Sequence, residues 1–488
     1  MKIELVIPSV IRETLENLEN KGFLAYLVGG CVRDLILNKE PKDWDITTDA
    51  TPEKITELFP KTVYENDFGT VTVINEKEED IRLRNIEITP FRLESGYTDK
   101  RHPDQIKFSL KLEDDLARRD FTINALAWDL KGQLTDLYGG VGDLKAGIIK
   151  TVGNPDERFQ EDALRMLRAV RFSAQLGFTI NTETEKSITE NADLLKFVSM
   201  ERIRDEFIKT IMSPGAGLGL RLSHKLNILR LFLLELELGI GIDQGGEHIY
   251  DVWEHSLRAL EHAASKDFDL EVRLTALLHD VGKPKSRREG TGAKKWTFYG
   301  HEVVSEKITK QILDRLKFPN KTKETVIKLV RNHMFFSDPD KITLSAVRRI
   351  IAKVGPDHIW DLMKVRACDR IGMGRPKEDP YRLRQYEVMI EEALRQPTSV
   401  AMLKIDGQGV MDVTRETPGP RVGWILHALL EKVLTDPALN EENILKDLAI
   451  DLAKLSNEEL LKAGEEGKEK RDEVEQKEIK VIKKRHRV

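Results

Sequence analysis

The stretch that most constrains this chain runs from Tyr26 to Asp49, YLVGGCVRDLILNKEPKDWDITTD. The apolar run Leu24 to Val28 reads as a buried strand ending at Gly29-Gly30. Cys31 to Leu37 reads as a short helix and Asp43 to Ile46 as a second strand. Side chains on a strand alternate faces, which puts Asp43 and Asp45 on one side, close together. Two carboxylates held that near repel each other unless a cation lies between them, so the pair is a candidate Mg²⁺ site for phosphate chemistry. The Gly29-Gly30 turn opens a helix and lets backbone N–H groups approach a polyphosphate, with Arg33 one turn further on. The alternative is a tight turn followed by a solvated strand face.

GGCVRD followed by PKDWDITTDATPEKI resembles the nucleotide-transfer head of the class II tRNA nucleotidyltransferase and bacterial poly(A) polymerase family, within the polymerase-beta superfamily. The resemblance implies an α/β head, a small mixed sheet with helices, followed by an all-α neck, an HD-type body and a tail. The chain then divides into a head at 1–150, a neck at 151–215, a body at 216–395 and a tail at 396–488. A length of 488 residues supports several cores rather than one. The two cysteines, Cys31 and Cys368, lie far apart, so no disulfide framework is expected and a reducing cytoplasm fits. No run has the apolar length of a signal-peptide core or a membrane span, and no membrane partner is expected. A net charge of −5 argues against an overall basic coat but leaves room for a local basic face.

Within the head, helices are expected at Ile7 to Lys21 and at Thr51 to Phe59, the latter opened by Thr51-Pro52-Glu53. Strands are expected at Thr62 to Tyr64, Gly69 to Ile74 and Ile86 to Phe91, and a mobile loop between Leu93 and Gln105. Glu87 is either a third carboxylate beside the Asp pair or an ordinary edge-strand residue. Ile123, Leu126 and Ala127 have helical spacing, which sets Arg118-Arg119-Asp120 at a helix entrance, where an arginine can fork onto phosphate. RRDFTINALA matches a motif of the family, and the resemblance implies that Arg119 contacts the incoming nucleotide. Leu134 to Ile149 reads as short strands and Gly-rich turns closing the head.

Phe159 to Ile180 reads as one two-sided helix, with Met166, Leu167, Val170 and Ala174 as its apolar stripe. Asp162, Arg165, Arg168 and Arg171 recur every three residues along one flank; spacing alone describes an ion-paired surface helix. Family members carry Glu-Asp-x-x-Arg here, as Glu161-Asp162-x-x-Arg165 does, and the resemblance implies nucleotide-base recognition. Cytosine and adenine each present an amino donor beside a ring-nitrogen acceptor, which an acceptor-only Asp162 and a donor-only Arg165 complement. Uracil and guanine present the reverse order and would leave groups unpaired. Arg168 and Arg171 would face the triphosphate.

The helical neck is expected to end at the Pro214-Gly215 stop, with one further helix from Arg221 to Leu238. His255, His279-Asp280 and Asp369 then follow in the order of the metal ligands of an HD phosphohydrolase domain, with His301 and His333 as further candidates for a second metal or a phosphate. Such ligands suit several divalent metals, so a second, transition-metal cofactor beside Mg²⁺ is left unnamed. Whether this site turns over also stays open. Lys307 to Arg331 is a basic segment suited to an RNA backbone or to solvent. Gly372 to Pro380 reads as a linker, and Ile405 to Gly423 as turn-rich chain before a helix from Trp424 to Leu434. By resemblance this tail holds the tRNA body, and from Ser456 the chain is a charged, solvated end.

The expectation is thus a template-independent enzyme that adds C and/or A to the tRNA 3′ end from CTP and ATP. A poly(A) polymerase is the near alternative, but that branch carries a Gly-Arg-Arg-Phe element where this chain has Tyr64 to Gly69, YENDFG. An HD phosphohydrolase with a nucleotide-binding front is the alternative of another class. Full CCA against CC-only or A-only addition, and the oligomeric state, stay open.

Overall fold

The computed structural model of the chain describes residues 2–65, 69–96, 105–246, 248–290, 295–335, 342–394 and 403–462. Two compact units divide it, Met1–Arg331 with Cys368–Arg375, and Asn332–Ala367 with Pro376–Val488.

The first unit begins with short β-branched and apolar runs, β1 (Ala25–Val28), β2 (Asp45–Thr48), β3 (Thr62–Glu65), β4 (Thr70–Ile74) and β5 (Asn85–Pro90). A separate antiparallel ribbon, β6 (Arg92–Ser95) with β7 (Gln105–Phe108), precedes β8 (Leu126–Trp128) and β9 (Leu134–Asp136). Excluding the ribbon, these strands form a seven-stranded sheet in the order β3-β4-β5-β2-β1-β8-β9. Every pairing is antiparallel except β2 with β5, which makes the sheet mixed. Helix α1 (Ser9–Asn20) covers it with Ile11, Leu15 and Leu18, the i, i+4, i+7 stripe of an amphipathic helix. Cys31 and Val32 of α2 (Gly30–Ile36) and Ile55 of α3 (Pro52–Leu58) join the same core. The short α4 (Ile81–Arg84), α5 (Leu112–Ala117) and α6 (Gly140–Ala146) complete the head.

Four expectations are corrected here. Asp43 falls just before β2 rather than inside it. The polar stretch after Leu93 begins and ends as the β6–β7 ribbon, and its tip, 97–104, lies outside the described residues. Leu126-Ala127-Trp128 is a central strand, not part of a helix, so Arg118 to Asp120 follow the end of α5 instead of opening a helix. A short run buried on both faces has no period by which strand and helix can be told apart. Finally, YGGVGDL opens α6. Gly140 is needed there because a Cβ would lie 2.2 Å from the Thr122 carbonyl oxygen.

The neck is built from α7 (Pro155–Glu161), capped by the Asn154 side chain, and α8 (Leu164–Leu176). The single helix expected across Phe159 to Ile180 therefore breaks at Asp162, whose φ of −145° and ψ of 103° are extended. β10 (Ile148–Ile149), just before α7, pairs in parallel with β11 (Thr179–Ile180), just after α8, and α9 (Thr182–Asn191) and α10 (Met200–Ile211) follow. Arg221 to Leu238 is likewise two helices, α11 (Ala216–Lys225) and α12 (Arg230–Glu237), separated at Asn227 with φ 59°. Helices α13 (Val252–Ser265), α14 (Leu270–Leu278) and α15 (Lys283–Ser286) follow. A small hairpin, β12 (Arg288–Glu289) with β13 (Trp296–Thr297), leads to α16 (His301–Arg315) and α17 (Asn320–Asn332).

The second unit contains α18 (Leu344–Val354), most of α19 (Ile359–Gly372), α20 (Tyr381–Leu394), α21 (Gly407–Thr414), α22 (Pro420–Thr435) and α23 (Glu442–Ala453). The stretch read as turn-rich contains α21 and the first turn of α22, whose Val410, Ile425 and Leu429 join Leu445 and Leu460 in a small apolar core. Arg421 ties this core's edge to the Ala453 and Leu455 carbonyls. Most of the charged end, 463–488, lies outside the described residues.

Candidate active site

The parallel register of β2 and β5 sets Asp45 directly beside Glu87. Asp43, exposed, stands two residues before. Burial pushes the Asp45 carboxyl up to about 7; Asp43 and then Glu87 push the same way against the pull of Arg119. Carboxylate oxygens are hard donors, so Asp43 and Asp45 suit Mg²⁺, with Glu87 on the neighbouring strand.

Gly29 has φ 80°, and a Cβ on it would lie 2.8 Å from Nη1 of Arg119 and 3.6 Å from Oδ2 of Asp45. The missing side chain is what lets Arg119 lie across the turn next to the acids. Gly30 begins α2, and its own Cβ would sit 3.7 Å from Nη2 of Arg33. Arg119 is steered by Asp115, a buried acid on α5 that accepts from Nη2 at 3.1 Å and also from Arg118 at 2.6 Å. Burial works against the Asp115 anion, but the two guanidinium groups outweigh it and lower its pKa. Asp115 was not singled out in the sequence; an acid three and four residues before an Arg pair was the available signal.

Arg33 donates Nη1–H to Asn124 at 2.8 Å, Asn124 donates to Asp120 at 3.1 Å, and Arg168 of α8 donates Nε–H to the other Asp120 oxygen at 2.7 Å. A continuous side-chain bridge therefore joins the head helix to the neck helix. Burial disfavours the Asp120 anion, yet Arg168 and Asn124 overcome it and hold the carboxyl down at about 2. Phe172 packs beneath three guanidinium groups, with Arg171 4.0 Å, Arg33 5.2 Å and Arg168 5.5 Å from its ring centre. Asn124 and Phe172 were also missed, because neither residue type stands out inside an apolar run.

All four members of the Asp162–Arg171 row are paired inside the protein. Asp162 accepts two hydrogen bonds from Arg202 of α10, at 3.2 and 2.7 Å, and one from the Leu164 N–H at 3.1 Å. Arg165 donates to Glu161 at 2.6 Å and to the carbonyls of Arg158 and Arg118 at 3.2 and 3.0 Å. Arg168 takes Asp120, and Arg171 takes Glu206 at 2.5 Å and Gln175 at 3.0 Å. The ion-paired character read from spacing is present, but the charged partners of Asp162, Arg168 and Arg171 lie on other elements. Arg165 keeps an Nε–H and one Nη2–H available to an acceptor.

A second cluster lies in the same unit. His255, His279, Asp280 and Asp369 are buried, and their ligand atoms all lie within 4.8 Å of one another. The Nε2 atoms of His255 and His279 are 3.0 Å apart, and Asp280 Oδ2 is 3.1 and 3.3 Å from them. Nδ1–H of His279 donates to the Ala276 carbonyl at 2.9 Å, so Nε2 is the nitrogen that faces the cluster and would offer its lone pair to a metal. His301 is set the same way by the Phe298 carbonyl, and its Nε2 is 3.1 Å from Asp280 Oδ1. Burial opposes charging His279, but Asp280 and then Asp369 outweigh it and push its pKa up to about 10. The cluster therefore demands positive charge, and its mixed N/O donor set fits a divalent transition metal. Lys283, 2.5 Å from Asp280, is a neighbour that the sequence reading passed over. His333 is buried and belongs to the second unit.

Fold and site together define a polymerase-beta-type nucleotidyltransferase head joined to a helical neck and an HD domain. Residues 25–150 match the family described as poly A polymerase head domain, 177–238 that described as probable RNA and SrmB-binding site of polymerase A, and 248–363 the HD domain. Over these modules, in this order, the chain is similar to the tRNA nucleotidyltransferase and bacterial poly(A) polymerase family. Among curated relatives, a CCA-adding enzyme of Lactobacillus helveticus is 54% identical over 201 residues, 41% of this chain and 49% of that protein. One of Lactiplantibacillus plantarum is 49% identical over 207 residues, 42% of this chain and 49% of that protein. The chain spans about half the length of the curated relatives it matches. The structure of the Bacillus stearothermophilus CCA-adding enzyme in complex with CTP is similar over 91% of this chain and 98% of that one, with TM-score 0.61 and 26% identity. The Thermotoga maritima CCA-adding enzyme shares the fold, with TM-score 0.50 and 20% identity over 92% of this chain and 97% of that one.

Proposed function

We propose that this protein adds C and A nucleotides, without a nucleic-acid template, to the 3′ end of tRNA, using CTP and ATP and releasing pyrophosphate. One observation supports this above the others. Asp45, with Asp43 and Glu87 around it and Arg119 across Gly29, lies in the same compact unit as Asp162 and Arg165, and the neck helix that carries Arg165 is joined to the head through Arg33, Asn124, Asp120 and Arg168. Chemistry and base choice thus share one frame. The relatives are named for CCA addition, and the most similar of the two solved structures cited binds CTP.

Asp43 and Asp45 would hold Mg²⁺, which when bound neutralises triphosphate charge and lowers the barrier to attack by the 3′ hydroxyl. Arg119 and Arg33 offer guanidinium donors to phosphate oxygens beside the turn formed by Gly29 and Gly30. Asp162 accepts the exocyclic amino hydrogen of cytosine or adenine, and Arg165 donates to the adjacent ring nitrogen. Arg168 and Arg171, anchored by Asp120 and Glu206, keep the neck flank cationic toward the triphosphate. The segment Lys307 to Arg331, with α16 and α17, is the candidate face for the tRNA backbone, which fits a basic stretch on an otherwise acidic chain. Among the described residues no helix is long and apolar enough to cross a membrane, and both cysteines are free and buried, which suits the cytoplasm.

The test uses tRNAs ending before, within and after CC, each with a single labelled nucleotide. Incorporation of C and then A that stops at the mature end supports the proposal. Long A tails on unrelated RNA would overturn it in favour of a poly(A) polymerase. A second reading is favoured by the His255, His279, Asp280 and Asp369 cluster, namely a metal-dependent phosphohydrolase activity in the same chain. Hydrolysis of a generic phosphodiester to an alcohol and a phosphomonoester after loading with Mn²⁺ or Ni²⁺, lost in His279→Ala, is its check.

A further inference from the structure

We propose that Arg202 is the positioning residue that makes Asp162 selective for amino-bearing bases. This rests on the function proposed above and adds to it a specificity determinant that lies outside the recognition row. Asp162 sits in the break between α7 and α8 with extended backbone angles, so no helical frame fixes its carboxylate. Its orientation comes from side-chain contacts instead. A carboxylate offers about four acceptor positions, two on each oxygen. Oδ1 accepts from the Leu164 N–H at 3.1 Å and from Arg202 Nη1 at 3.2 Å, and Oδ2 accepts from Arg202 Nη2 at 2.7 Å. Three of the four positions are filled, and the one remaining lies on Oδ2.

One remaining acceptor matches one amino hydrogen of cytosine or adenine. The fork of Arg202 does two things that a monodentate partner would not. It locks the plane of the carboxylate, and it fixes which oxygen is left to meet the base, where a carboxylate only accepts and the carbonyl of uracil or guanine finds no donor. The same helix sets the other end of the row, since Glu206, one turn beyond Arg202, holds Arg171 at 2.5 Å. Helix α10 is therefore a bracket that fixes the ends of the row. The side-chain partner of Arg202 is Asp162, and it bonds to none of Asp43, Asp45 and Glu87, so it acts through Asp162.

The experiment measures single-turnover incorporation of CTP, UTP, ATP and GTP on tRNA lacking its 3′ CCA, for wild type, Arg202→Gln and Arg202→Lys, with thermal melting of each protein. The expected result is that Arg202→Gln lowers discrimination of CTP over UTP and of ATP over GTP by about tenfold or more, which corresponds to about 1.4 kcal/mol. The loss falls mainly on KM for the correct nucleotides, and Arg202→Lys is intermediate because it keeps charge without the fork. Equal loss for all four nucleotides, with discrimination intact in both variants, would overturn the proposal and make Arg202 a structural anchor alone. If Arg202→Gln does not fold, the Arg202→Lys ratio decides in the same way. A wild-type protein that incorporates no nucleotide would count against the proposed function instead, so the two failures are separable.

Discussion

The Asp43/Asp45 edge and the His255/His279 cluster both gather acids toward a cation, yet they are made of opposite materials. At the head edge, Asp43 is exposed, and the surrounding positive charge belongs to arginines that cannot give up a proton. In the HD cluster the ligands are buried and nitrogen is mixed with oxygen, and protonation of imidazole can substitute for a metal. The first arrangement suits a hard ion that arrives with a polyphosphate and leaves with the product. The second suits an ion that stays. The lesson is that two candidate metal sites in one chain can be told apart by exposure and by whether the countercharge is titratable.

The sharpest break of this comparison is removal of each acid set in turn. Asp43→Ala with Asp45→Ala should lower nucleotide incorporation by about 10³-fold or more, while metal bound to the purified protein, read by elemental analysis, stays unchanged. Near wild-type extension by the double variant would show that the head acids are incidental. The reciprocal change, His279→Ala, should cost at least about a hundredfold in affinity for the retained divalent metal, measured by competition with a chelator. CTP incorporation should then stay within about threefold of wild type, as expected for distant sites.

The two sites should also differ in pH response. The Asp45 carboxyl, pushed up to about 7, holds a proton that a cation must displace below that pH. The apparent Mg²⁺ affinity in the incorporation assay should therefore weaken about tenfold per unit below pH 7 and level off above it. Glu87→Gln removes a charge that raises Asp45, so the bend should move to lower pH. At the cluster, where His279 lies at about 10, metal affinity should instead keep rising with pH through the neutral range.

The smallest effect expected is on stability. Asp120 is held at about 2, below its ordinary value, so its pairing stabilises the fold above the unfolded carboxyl pKa and the benefit fades as pH falls toward 2. Asp120→Asn should cost about 2 kcal/mol near neutrality in urea unfolding, and the difference from wild type should shrink to nothing near pH 2.

Much of this was legible in the sequence because the relevant signals are local. Gly29-Gly30 followed by Arg33 and the Asp pair, and the ordered His and Asp positions, stand where close spacing or a matching motif set them. The misreadings share a cause. Leu126 to Trp128 was taken as helix because a fully buried strand has no alternation to display. The helix through Asp162 was drawn unbroken because its charges kept a three-residue repeat across a break that no Gly or Pro marks. Asn124 and Arg202 carry no such local signal, because their value depends on what lies opposite them in space. A partner on another element leaves no trace in spacing.

The bridge from Arg33 through Asn124 and Asp120 to Arg168 has one more consequence. It spans the head helix α2 and the neck helix α8 with three hydrogen bonds of 2.7 to 3.1 Å, two of them made by arginines. Swinging the neck against the head would pull one of these bonds apart, so the bridge sets the span between the Gly29-Gly30 turn and the Asp162–Arg165 step like a gauge block. Cytosine and adenine differ in width by a ring. Under the proposed function, that difference would be taken up inside the neck, at the non-helical step around Asp162, rather than by movement of the neck against the head.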